Sequence, residues 1–67
     1  MKGFIEVHHK NGVHLLNVKY IEDVWYDNSG ICTIWLAYTI PDSTEQDMII
    51  PRESYDEVKR MIEEAMK

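Results

Sequence analysis

Residues 31–38 read Ile-Cys-Thr-Ile-Trp-Leu-Ala-Tyr, and this run decides the fold. It is rich in β-branched and aromatic residues, and successive side chains of a strand point to opposite faces. One face carries Cys32, Ile34, Leu36 and Tyr38, and the other carries Ile31, Thr33, Trp35 and Ala37. Both faces are apolar, so both need a cover. The chain holds a clear signal for a single helix. A helix of roughly 12 residues is about 18 Å long and about 10 Å wide, whereas five strands at about 4.8 Å spacing span about 20 Å. One helix therefore covers part of one face. The second face needs a second copy of the chain, a partner, a ligand, or the sheet's own other half curled into a partly closed barrel.

The neighbouring strands follow from turn chemistry. Upstream, Asp27-Asn28-Ser29-Gly30 has the residue types of a four-residue turn after a strand at Ile21–Tyr26. That turn places Trp25 opposite Cys32, Val24 opposite Thr33 and Glu22 opposite Trp35. Downstream, Pro41-Asp42-Ser43-Thr44 turns the chain into a short strand at 46–50, which Pro51 ends. Near the N-terminus, Asn11-Gly12 sits between two alternating runs and favours a two-residue hairpin turn. Its register sets His9 against His14, Val7 against Leu16 and Ile5 against Val18. One face of this hairpin is then Ile5, Val7, Leu16 and Val18, and the other is mixed, with Phe4, Glu6, His8 and Leu15. The segment 17–20 turns the chain towards the third strand.

The helix signal comes last. Ser54 followed by Glu57 is a capping box. Tyr55, Val58, Ile62 and Ala65 fall at helical spacing, with Met61 and Met66 at the edge of the stripe. Asp56 and Arg60 make a favourable pair one turn apart. The expected fold is α+β: one domain over residues 1–67, a small antiparallel sheet of four to five strands (4–10, 13–18, 21–26, 31–40 and 46–50) and one C-terminal helix at 55–66. The helix is expected on the face of Ile21, Trp25, Cys32, Ile34, Leu36, Tyr38 and Ile49. The opposite face then shows Val24, Tyr26, Ile31, Trp35, Ala37, Met48 and Ile50.

Bulk properties narrow the function. A chain of 67 residues buries only about 60% of its unfolded surface, and such domains lean on disulfides, metals or oligomerisation. There is one cysteine, Cys32, so an internal disulfide is excluded. The start Met1-Lys2-Gly3-Phe4 leads straight into a strand pattern, with no leader and no long apolar run. These features fit a cytoplasmic protein that forms a homo-oligomer and touches no membrane. The net charge is −5, with 12 acidic residues against 7 Lys and Arg. No cationic cluster is present for a phosphate backbone, so nucleic acid is not an expected partner. The acidity suits solubility or attraction to a basic partner.

Few residues carry chemistry. His9 and His14, facing each other near the hairpin tip, are the weak candidates for a metal, but a third ligand has no determined position and His8 points away. Cys32 reads as a buried, inert thiol opposite Trp25. Glu22-Asp23 and Glu63-Glu64 are sequence neighbours that diverge on a strand or a helix. Glu22 is expected beside Trp35, where a covered carboxylate needs a partner, and Arg52 is placed to supply it or to hold an anionic ligand. Gly3, Gly12 and Gly30 stand apart and form no phosphate-cradling loop or nucleophile elbow. The expected ligand or partner residues are Trp35, Tyr26, Val24, Glu22, Met48 and Arg52, with no catalytic residue and no cofactor.

The layout resembles the FlbD family of small bacterial flagellar and swarming accessory proteins. The matching positions are Asn11, Gly12, Asn17, Ile21, Glu22, Glu53, Ser54, Glu57 and Val58. The departures are a longer acidic loop at 41–47 and the aromatics Trp25, Tyr26, Trp35 and Tyr38 in the central hairpin. The resemblance implies the fold and an accessory role, and it brings no catalytic residues. The first functional expectation is thus a non-enzymatic, homo-oligomeric binding protein. Its aromatic face would form the subunit junction and a cleft for a partner protein or a planar, nucleotide-like small molecule, as in a phage-type inhibitor or sequestering protein. The alternatives are the flagellar accessory role and a weak hydrolase or metal site on His9 and His14.

Overall fold

The computed structural model describes residues 2–10, 12–38 and 47–67. The Asn11 half of the first turn, the expected turn at 41–44 and the expected strand residues 39, 40 and 46 lie outside them. The element order is β1 (Phe4–His9), β2 (Gly12–Asn17), a 3-10 turn (Val18–Tyr20), β3 (Ile21–Tyr26), β4 (Cys32–Leu36), β5 (Met48–Ile49) and α1 (Tyr55–Ala65). The fold is α+β, with five antiparallel strands and one C-terminal helix, as its sequence patterns predict. The strands are divided between two sheets, β1-β2 and β3-β4-β5.

The first hairpin keeps its predicted faces in a different register. Ile5 lies opposite Leu16, Val7 opposite His14 and His9 opposite Gly12, two residues displaced from the Asn-Gly alignment. Gly12 enters the ladder with φ at 140°, a conformation open to glycine. A slip of two residues preserves which side chains face the core, because the period of a strand is two. Ile5, Val7 and Leu16 are accordingly buried. Val18 leaves the strand for the 3-10 turn, which Asn17 caps by accepting a 3.0 Å bond from the Lys19 N–H. The Val18 N–H still reaches the Gly3 carbonyl at 2.9 Å.

The second hairpin corrects the predicted faces. Asp27 and Ile31 flank the loop: the Asp27 N–H donates to the Ile31 carbonyl at 3.2 Å, and the Gly30 N–H donates to the Asp27 carbonyl at 2.9 Å. The Asp27 carboxylate also accepts from the N–H groups of Ser29 (2.9 Å) and Ile31 (3.1 Å). Gly30, at φ 82°, supplies the left-handed residue of a three-residue loop. Asp27 is thus withdrawn from the expected turn to face Ile31, and the register moves by one. Trp25 pairs with Thr33 and Val24 with Ile34. A one-residue change exchanges the two faces of a strand, so Val24 turns inward and Trp25 outward. A bulge at Glu22 then restores Ile21, which pairs with Leu36. Ile21 and Val24 both pack on the core, three residues apart rather than two.

The inner faces of both sheets share one core. It joins Ile5, Val7 and Leu16 with Cys32, Ile34, Leu36 and Ile49, and α1 closes it with Val58 and Ala65. The curled arrangement therefore supplies the cover for the inner face of β4. A backbone bond ties the segment after β5 to β1, the Arg52 N–H donating to the His8 carbonyl at 2.8 Å, and the Ala37 N–H extends the β3-β4 pairing by donating to the Tyr20 carbonyl at 2.8 Å. α1 packs against β1 and β3, its capping box is formed, and the Gly3 N–H meets the Ala65 carbonyl at 2.9 Å. Trp25 and Tyr38, expected beneath the helix, are 45% and 41% exposed.

These assignments predict opposite costs on β3 and β4. Ile34→Ala opens a cavity at the centre of the core and should cost about 2–5 kcal/mol. Trp25→Ala removes an outward side chain and should cost about 1 kcal/mol or less. Urea denaturation of the two variants checks the register, since the predicted four-residue turn would make Trp25→Ala costly as well.

Candidate functional site

The outer face of β3-β4-β5 gathers aromatic and acidic side chains. Across the three strands, Asp23 pairs with Trp35 and Trp35 with Met48. Two residues along β4, Thr33 is buried and faces Trp25. Trp35 and Met48 are half-buried, while Trp25 and Asp23 are exposed. The sheet that fixes these positions is itself held from within by Ile34, Leu36 and Ile49.

Its electrostatics are one-sided. Residues 21–51 contain Glu22, Asp23, Asp27, Asp42, Glu45 and Asp47, and no Lys, Arg or His. Every cation of the chain lies outside this stretch. Among the described residues, Glu22, Asp23 and Asp47 are all exposed and take part in no ion pair.

Of the six expected binding residues, the structure brings Trp35 and Met48 together as direct cross-strand partners. Asp23, rather than Glu22, stands beside Trp35, and Glu22 is the exposed extra residue of the bulge. Val24 belongs to the core. Tyr26 ends β3 and rests its ring on Tyr55 of α1, with centroids 4.8 Å apart. Arg52 is exposed, and its backbone N–H ties it to β1 at His8. Trp25 and Asp23 join the face instead. Their signal was Gly30, whose position also fits a loop that starts one residue later and closes on it.

The other candidates lie in the first hairpin and in the core. The rings of His9 and His14 meet edge to face at 5.4 Å, offset diagonally in the ladder, and His9 is buried. Among the described residues, no group of three or more His, Cys, Asp or Glu side chains is placed to hold a metal. Cys32 is buried in the core, and that burial pushes its thiol up, away from the reactive thiolate. Two further features were not legible from sequence. One is an open apolar groove of about 540 Å³ between the sheets, lined by Phe4, Leu15, Asn17, Tyr20, Ala37 and Tyr38. The other is a fork in which Glu53 accepts from the His8 backbone N–H at 2.9 Å and from its ring Nδ1 at 2.6 Å. An ionised carboxylate can only accept, so the hydrogen sits on Nδ1.

No helix among the described residues is long and apolar enough to cross a membrane. Comparison with family models, curated proteins and solved structures found no match to this chain.

The fork sets a pH dependence. Partial burial pushes the Glu53 carboxyl up, but the hydrogen bonds from the His8 ring and N–H, and from its own N–H, outweigh it and hold the carboxyl below its ordinary value. A lowered folded value means stability that is complete above the unfolded value of about 4.3 and is lost as pH falls through the folded one. Glu53→Gln should flatten the stability profile in that acidic window and leave its shape near neutrality unchanged, as read by thermal melts at stepped pH.

Proposed function

We propose that the protein is a non-enzymatic binding module whose partner docks on the outer face of β3-β4-β5, centred on Trp35. The observation that carries this reading is the Asp23–Trp35–Met48 row with Trp25 beside it, an aromatic surface on the outside of a strand whose inside is core. Trp and Met are enriched at the centres of interfaces, and a half-buried Trp on a rigid sheet loses little freedom on binding. The buried thiol and the diagonal histidine pair both serve packing, which fits a role without catalysis.

A separate observation favours self-association through a different surface. Among the described residues, β2 pairs with β1 on one edge alone, and it carries exposed Val13 and Leu15 beside the apolar groove. A second copy adding along that edge would satisfy backbone groups and cover the groove together.

Selection of peptides from a random library on the immobilised protein tests the primary reading. Enriched peptides should bind Trp35→Ala at least tenfold more weakly than the wild type, with both proteins folded by circular dichroism. Peptides that bind both alike would remove Trp35 from the site. For self-association, native mass spectrometry should show a dimer that Leu15→Glu converts to monomer. A dimer unaffected by Leu15→Glu would place the contact elsewhere.

A further inference from the structure

Resting on the reading of this face as a docking surface, we propose that its occupant is a cationic protein segment, rich in Arg or Lys. Such a segment would lay its charges over the indoles of Trp25 and Trp35 and onto the exposed Asp23 carboxylate beside Trp35. The argument is one of charge. The whole stretch 21–51 contains no basic residue, so nothing within it neutralises Glu22, Asp23 and Asp47. Asp23 stands directly opposite Trp35 in the ladder. An indole face attracts a cation through its quadrupole, and a carboxylate next to it attracts the same cation. Guanidinium groups fit both, because they stack on rings and fork onto carboxylates.

The same charges weigh against the other occupants. A phosphate backbone or an anionic membrane surface would be repelled. A neutral apolar segment would cover Asp23 without giving it a partner, which costs the desolvation of a charge. A second copy docking this face on its own equivalent would set like charges together. The remaining part of the chain sets all seven Lys and Arg residues against six acidic ones, so the acidic excess of the chain lies within 21–51. Docking of a basic segment is thereby directed to one side of the protein.

Tryptophan fluorescence titration tests this with three synthetic peptides of equal length: Arg/Lys-rich, Glu-rich, and neutral with Leu and Phe. The cationic peptide should bind and the acidic one should not. Binding should weaken at least about tenfold between about 50 mM and about 500 mM salt, as expected of exposed charges. Asp23→Lys, at an exposed position, should weaken it at least tenfold, and Asp23→Asn should fall between. If the neutral peptide binds as tightly as the cationic one and ignores salt, the cation inference is overturned while the docking face stands. If cationic binding is unchanged in Asp23→Lys, or in Trp25→Ala and Trp35→Ala, the charge is being read elsewhere and the inference fails. If no peptide binds, and native mass spectrometry shows an oligomer that Trp35→Glu dissociates, a second copy occupies the face and the inference fails. If no peptide binds and Trp35→Glu leaves the mass unchanged, the docking face fails with it.

Discussion

Neither sheet of this protein can bury its apolar face alone. A two-stranded hairpin is marginal in water, and a three-stranded sheet with a two-residue edge strand is little better. Ile5, Val7 and Leu16 find their cover in Ile34, Leu36 and Ile49, and the reverse is equally true. α1 then seals the open side with Val58 and Ala65. Everything else depends on this mutual cover. It makes the outer face of β4 a true surface, and it holds Trp35 and Thr33 there on a strand that cannot shift.

How much of this was legible depended on the range of the signal. α1 was readable because its capping box, apolar stripe and end are all local, and Ser54 and Glu57 bond as expected. The faces of β1 and β2 were readable because the register differs by two residues, which changes partners and keeps sides. The β3-β4 hairpin was not, because one residue exchanges the sides. Whether Asp27 belongs to the turn or flanks it is settled by its N–H bond to the Ile31 carbonyl, by its carboxylate, which holds the N–H groups of Ser29 and Ile31, and by the positive φ of Gly30. Turn residue types announce a turn without giving its length. The bulge at Glu22 brings Ile21, expected on the helix-covered face, and Val24, expected on the other, to the same core, which no period-two reading allows.

For the same reason the site was half legible. Trp35 and Met48 belong to strands whose facing does not depend on the misread loop; they were expected on one face, and the structure pairs them directly. Val24 and Tyr26 inherited the wrong face from it. Trp25 and Asp23 emerged only with the true register. The apolar groove joins residues from β1, β2, the 3-10 turn and the segment after β4. No periodicity within one element could announce it. The absence of basic residues from 21–51, by contrast, is written in the sequence and takes on meaning once β3, β4 and β5 prove to form one sheet.

The Glu53 fork has a consequence for the integrity of the monomer. At His8, the outer edge of β1 offers a free N–H and carbonyl of the kind that a stray strand captures in aggregation. Here the Glu53 carboxylate takes the N–H and the Arg52 amide takes the carbonyl. A side chain and a single amide thus stand where another chain's backbone would lie. The segment leading into α1 works as a guard rail, leaving β1 closed to amyloid-type growth at the place where the sheet would otherwise be open.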